Sequence, residues 1–325
     1  MSRSTKIACT FVLLVLLSLY PSLVGKFHTY LLTECMIYSL FGASFYLLLG
    51  HTGLLSFGHA AYFGVGAYAT ALCLRYLPTV PLPIALMLGA VSGLVSGFLI
   101  GLMLLRLTKI YFSFATLSMG QMLWAIAWKW RSLTGGDDGL TGWSARVITV
   151  PWVGAFSLSH VTFLYYLVFS IVTVCILLCW YFTKTPLGST LASIKSNANR
   201  TNFLGVNISL AKLMLFTVAG MMAGVSGSLF ILFKKMASPN FLDLFMSFDI
   251  VVISVIGGFS NFFGPIVGSF VYVYMVEYLS SWTESWQLLM GGFFVLLILF
   301  FPGGLVGLFR ALTKKVAFPR RYGRP

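Results

Sequence analysis

A chain of 325 residues with 59% hydrophobic and 9% charged residues, net charge +14 and mean hydropathy +0.94 cannot present a water-soluble surface, since globular chains carry roughly 25% charged residues. Its 30 Phe, 15 Tyr and 8 Trp exclude a disordered chain. The basic residues lie scattered between apolar stretches without any nucleic-acid module, which excludes nucleic acid as a partner.

Lipid is therefore the solvent for most of the chain, and the fold class is all-α: a polytopic membrane protein. A helix crosses ~30 Å of hydrocarbon with about 20 residues. Ten apolar runs bounded by charge, Pro or Gly read as transmembrane helices: 7–24, 30–49, 60–77, 82–105, 110–128, 161–182, 211–233, 247–258, 265–281 and 286–301. The first follows Arg3 and Lys6, is long and lacks an A-x-A site, so it reads as an uncleaved signal anchor. After the second comes GHTGLLSFGHAAYFGVGAY, residues 50–68, with Gly at 50, 53, 58, 64 and 66. Such density either lets helices approach closely or breaks a helix so that backbone lines a cavity. His51 and His59 inside it read as hydrogen-bonding groups at helix ends, not as a metal site.

Residues 105–124 lead from a basic turn into a span carrying Ser113, Thr116, Ser118 and Gln121, small polar groups suited to holding neighbouring helices. The external loop 131–160 contains LTGGDDGLTGW, residues 133–143, and is long enough to meet an external partner. Asp137 and Asp138 within it lack calcium-loop spacing and read as a solvated turn. The sixth run holds Cys175 and Cys179 on one helix face, where they read as packing residues. Residues 183–212 form the long internal loop. Leu191, Ile194 and Ala198 recur there at helical spacing, Lys195 and Arg200 point elsewhere, and Gly205 with Asn207 signals a stop. A short helix suited to docking into another protein is expected. The eighth run is too short for a straight span and precedes Gly257, Gly258 and Gly264-Pro265. Gly-rich broken or re-entrant elements are therefore expected near 50–60 and 257–265.

With ten spans both ends lie on one side, and basic residues choose it. Fourteen (Arg3, Lys6, Arg106, Lys109, Lys184, Lys195, Arg200, Lys212, Arg310, Lys314, Lys315, Arg320, Arg321 and Arg324) share one side, against seven on the other. Positive-inside places both termini in the cytoplasm. No phosphate-cradling loop with its lysine is present, nor any hydrolase or metalloprotease motif, so no catalytic residue is expected. Glu34, Asp249 and Glu277 are read towards span ends, where interfacial water solvates them, and this disfavours ion-coupled carriers.

Five motifs occur in order: the Gly-rich stretch 50–68, R-L-x-x-x-Y-F-x-x-x-T-L at 106–117, L-T-G-G-x-x-G-L at 133–140, G-S-x-L-x-x-I-K-x-N-x-x-x-x-x-x-L-G-V-N at 188–207, and G-G-F-S-N-F-F-G-P-I-V-G at 257–268. Together they resemble the permease subunits of branched-chain amino acid ABC importers, the LivM-like half of the LivH/LivM pair. The resemblance implies a single transmembrane permease domain over residues 1–310, with 311–325 left as a basic cytoplasmic tail. It implies a cytoplasmic ATPase-coupling segment at 183–212, carried by Gly188, Leu191, Ile194, Lys195, Asn197, Leu204 and Gly205. Its partners would be a homologous LivH-like permease, cytoplasmic ATP-binding subunits that hold the nucleotide, and an extracytoplasmic substrate-binding protein, at the bacterial inner membrane. The chain would need no cofactor of its own. Gly53, Gly58, Gly64, Gly257, Gly258 and Gly264 are the candidates for backbone along the translocation cavity. A permease for urea or short amides, and a passive channel or facilitator, remain open as alternatives.

Overall fold

A computed structural model describes residues 20–21, 25–77, 79–107, 109–143, 147–150, 154–157, 160–259, 261–300 and 303–307. The run at 7–24 and the tail at 311–325 thus fall almost wholly outside the described residues. The longer helices are α1 (Lys26–Thr52), α2 (Ala60–Tyr76), α3 (Leu82–Leu104), α4 (Lys109–Lys129), α5 (Val161–Lys184), α6 (Pro186–Ser196), α7 (Ala198–Phe203), α8 (Ile208–Lys234), α9 (Leu244–Gly257), α10 (Gly264–Trp282) and α11 (Trp286–Phe300). The second to tenth apolar runs coincide with helices to within four residues at either end. Among the described residues six spans are long and apolar enough to cross a membrane: α1, α3, α4, α5, α8 and the stretch Trp286–Gly307 that begins with α11.

One departure from an all-helical chain lies in the loop 131–160. Val147–Val150 and Gly154–Ser157 pair as an antiparallel hairpin, with Val147 opposite Ser157 and Val150 opposite Gly154. The same loop is pinned to the start of the 235–243 connection. Leu140 N–H donates to Ala237 O at 2.7 Å, Ala237 N–H returns the bond at 2.9 Å, and Trp143 is buried nearby.

α1 is the centre of the bundle and is buried on every side from Leu31 to Leu48. A helix apolar all round belongs in a core. The hydroxyls it carries inward return to its own turns: Thr33 Oγ1 donates to Thr29 O, Ser39 Oγ to Cys35 O and Ser44 Oγ to Phe41 O, at 2.6–2.7 Å. That local satisfaction is what permits them in a water-free interior.

The tightest crossing joins α3 to α8. Gly89, Gly93, Gly97 and Gly101 recur every fourth residue and so form one strip along α3, facing Gly220 and Gly224 of α8. A Cβ on Gly93 would stand 2.5 Å from Gly220 O and 2.8 Å from Gly224 Cα. Hydrocarbon offers no hydrophobic drive between helices, so close backbone contact supplies the attraction. Beneath the strip, Thr70 Oγ1 of α2 donates to Ser228 Oγ of α8 at 2.8 Å, closing a three-helix junction.

Two polar contacts mark opposite ends of the bundle. Glu34 near the start of α1 pairs with Lys234 at the end of α8 at 2.8 Å. At the other end of α1, Lys195 Nζ donates to Gly50 O at 2.9 Å.

Candidate functional site

The segment 186–205 is built by capping. Thr185 Oγ1 accepts from Gly188 N at 3.3 Å and Pro186 occupies the first turn, which starts α6. Asn197 ends α6 and caps α7, its Oδ1 accepting from Arg200 N at 3.0 Å. Gly205, at φ +80°, turns the chain out of α7, and Asn207 Oδ1 caps α8 at 3.0 Å. All seven residues assigned to this segment from the sequence therefore lie on one continuous surface element.

Its two faces differ. Gly188, Leu191 and Ile194 are buried against the chain's own bundle, where α6 packs on α1, α5 and α8. A Cβ on Gly188 would lie 2.6 Å from Thr183 O, so that position sets the angle between α5 and α6. The outward face carries Ser193, Ser196, Asn199 and Arg200, and ends in Phe203 and Leu204, which are 89% and 81% exposed. Lys195 reaches back to Gly50, and its Cγ lies 3.6 Å from where a Cβ on Gly53 would be.

Gly53 ends α1 in the left-handed region at φ +70°, with its N–H on Leu49 O. The link 53–59 then doubles back, because His59 lies beside Ser44, about 12 Å up α1 from its end at 1.5 Å per residue. Helical hydrogen bonds are lost here, and α4 replaces them. Ser113 Oγ donates to Leu55 O at 2.7 Å, and Phe57 N–H donates to Thr116 Oγ1 at 3.2 Å. Gly58 lies directly on Thr116 O, closer than any side chain would allow. Ser113 and Thr116 of the stretch 105–124 thus have a defined task, which sequence spacing did not show.

His59 is fully buried among Phe41, Phe45 and Tyr62. The single Ser44 proton goes to Phe41 O, so the imidazole Nε2 is the donor across the 2.8 Å contact to Ser44 Oγ. Its other nitrogen has no partner. His59 thus bonds to a hydroxyl well inside α1 and makes no side-chain cap on α2, unlike the helix-end bond expected for it.

Gly64 packs on Leu242, with Phe241 O 3.1 Å from a Cβ placed on it. Gly257 and Gly264 pack directly on one another where α9 meets α10, and Gly258, at φ +101°, lies against Gly303. The glycines near 58 and those near 258 form two separate crossings. What joins α2 to α9 is Ala60 N–H, which donates to Ser247 Oγ at 3.1 Å.

The acids require a correction. Glu34 is neutralised by Lys234, but Asp249 is not at a span end. It lies near the middle of α9, with the hydroxyl of Tyr272, near the middle of α10, beside its carboxylate, and Tyr38, at the middle of α1, within its electrostatic reach. The two tyrosine rings are 6.2 Å apart. The reason is register: α9 begins at Leu244, earlier than the apolar run, and packs deep beside α1 and α10.

The family described as branched-chain amino acid transport system / permease component matches residues 27–301. The high-affinity branched-chain amino acid transport system permease protein LivM of Escherichia coli strain K12 is 26% identical over 329 residues, 93% of this chain and 75% of LivM. LivM of Salmonella typhimurium strain LT2 gives 26% over the same share of each chain. The autoinducer 2 import system permease protein LsrC of Salmonella typhi is 25% identical over 209 residues, 62% of this chain and 55% of LsrC. No solved structure is a significant match. With the match spanning the helical bundle from α1 through α11 and the apolar helices of a multi-pass membrane protein beneath it, the chain belongs to the branched-chain amino acid transport permease family and is LivM-like.

Proposed function

We propose that the chain is the LivM-like half of an ATP-driven importer for branched-chain or related amino acids at the bacterial inner membrane. A homologous LivH-like permease completes the path, cytoplasmic ATP-binding subunits hold the nucleotide, and an extracytoplasmic binding protein delivers substrate to the side bearing the loop 131–160. Ten spans, counting the run at 7–24, put both termini in the cytoplasm. The links 53–59 and 258–263 act as broken, re-entrant elements whose backbone, with Gly53, Gly58, Gly64, Gly257, Gly258 and Gly264, borders the path. Nonhelical backbone at that depth is tolerated only where protein shields it, as α4 shields the first link.

The observation that carries this reading is the two-faced segment 186–205. Its inner face is held to the end of α1 by Lys195, while its outer face ends in exposed Phe203 and Leu204. An apolar pair that exposed, beside Arg200 and short polar side chains, suits a cleft in a partner. Motion of the partner then passes as rigid displacement through α6 into α1.

Phe203 and Leu204 make little contact inside the chain, so replacing both with Ser tests docking without disturbing the bundle. Co-purification with the ATP-binding subunits and ATP-dependent uptake of leucine into proteoliposomes are expected to fall together. Undiminished ATPase association would sink the docking assignment, and leucine uptake by the chain without ATP would favour the passive facilitator.

A further inference from the structure

We infer that Asp249, with the hydroxyls of Tyr272 and Tyr38, forms a site in the middle of the bundle for the ammonium group of the transported amino acid. The inference rests on the importer reading and goes beyond it by naming the residue that receives the substrate's charge.

The surroundings of the acids on α1 and α9 are unequal. Glu34 has a lysine at 2.8 Å, whereas Asp249 has no cationic partner among the described residues. What Asp249 has instead is a hydroxyl neighbour, Tyr272, whose ring lies 6.2 Å from that of Tyr38. A phenol solvates a carboxylate but does not neutralise it. Tyr38 spends its own hydroxyl on a weak acceptor, the Met246 sulfur at 3.8 Å. The cluster lacks one positive charge, and the aromatic faces beside it favour an ammonium in that place.

Access is also defined. On α9, Phe245, Phe248, Asp249 and Val252 share one helix face by their spacing. Phe245 and Phe248 are exposed, and Asp249 is partly so. A carboxylate with free surface at mid-bundle depth cannot face hydrocarbon; it faces a partner subunit or water. That face continues through the contact of Phe248 with Phe57, ring centroids 5.4 Å apart, into the link 53–59. The carboxylate therefore opens onto the same side as the first broken element. One unneutralised carboxylate with hydroxyl neighbours is also a weak site, as a conduit needs if its cargo is to leave.

The test uses the assembled importer in proteoliposomes with radiolabelled leucine. Asp249→Asn keeps the shape and removes the charge. Uptake is expected to fall at least about tenfold, the scale of losing a buried charged partner, while ATP hydrolysis stimulated by the binding protein persists. Asp249→Glu restores part of the uptake, and Tyr272→Phe, which deletes a single hydroxyl, lowers it by a smaller factor. Asp249→Cys is expected to react with a polar thiol reagent above the parent's background, and leucine with its binding protein slows that reaction. Parental uptake by Asp249→Asn, or no labelling at Asp249→Cys, overturns the inference and leaves the importer reading standing. Failure of the parent complex to take up leucine with ATP sinks the importer reading itself.

Discussion

Glycine does opposite things at the α3–α8 crossing and at the link 53–59. Along α3 the glycines stay helical, and their use is to be absent: with no side chains in the way, two backbones touch without either helix being broken. At the link, Gly53 adopts a positive φ, the helix stops, and the released backbone groups need partners from another helix, Ser113 and Thr116. The first region is built to be rigid by removing atoms. The second stays in place only through side-chain hydroxyls, which makes it the part of the interior most readily rearranged.

The contrast predicts a ranking of damage. The largest effect belongs to Gly93→Val. A Cβ there meets Gly220 O at 2.5 Å and Gly224 Cα at 2.8 Å, backbone atoms that cannot rotate away. The helices must separate, with a loss of at least about 3 kcal/mol, the upper end of overpacking in ordinary cores; Gly93→Ala falls within about 1–3 kcal/mol. Thermal unfolding of the detergent-solubilised protein reads both, and an unchanged midpoint for the valine variant means the strip is not a contact.

Thr116→Val comes second. It preserves shape and removes the acceptor for Phe57 N–H, leaving a half-buried donor unpaired at a cost of about 1 kcal/mol, the low end for a lost buried partner. Its signature differs from that of the crossing. Because the hydroxyl holds a link and not a packed face, amide exchange should rise at residues 55–58 before the rest of the bundle loosens. Uniform loosening would show that link and crossing are one unit.

Much of this was legible in the chain itself. Apolar runs marked where helices lie, and Leu191, Ile194 and Ala198 showed the stripe of α6 and α7, because periodicity is a local property. The strip at 89, 93, 97 and 101 was equally local, yet a spacing of four draws less notice than the density of glycine at 50–68. Other features were out of reach. Ser113 serves Leu55 across 58 residues of chain, and no spacing rule connects them. Asp249 looked interfacial because depth in a bundle depends on how short helices stack, which packing decides. The stripe of α6 was visible, but which way it faces was not: Leu191 and Ile194 turn inward, and the surface left for a partner is the one that periodicity marks as polar, with Phe203 and Leu204 at its end.

The smallest effect joins the two regions to the surface. Lys195 is exposed, so its bond to Gly50 O is shared with water, and Lys195→Met should leave the unfolding midpoint nearly where it was. Its position is what matters. Gly50 is among the last residues of α1, whose carbonyls lack helical partners, and a cation there both caps the helix and complements its dipole. With the methionine in place the stem still packs but the tether is gone, so displacement of α6 reaches α1 through side-chain contacts alone. In the assembled importer the ratio of leucine taken up to ATP hydrolysed should fall by up to about fivefold, the factor that ~1 kcal/mol represents, with hydrolysis itself preserved. Arginine at 195 keeps a donor within reach and should hold the ratio near that of the parent. An unchanged ratio for the methionine variant would place the transmission of force elsewhere, in the buried contacts of Leu191 and Ile194 with the bundle.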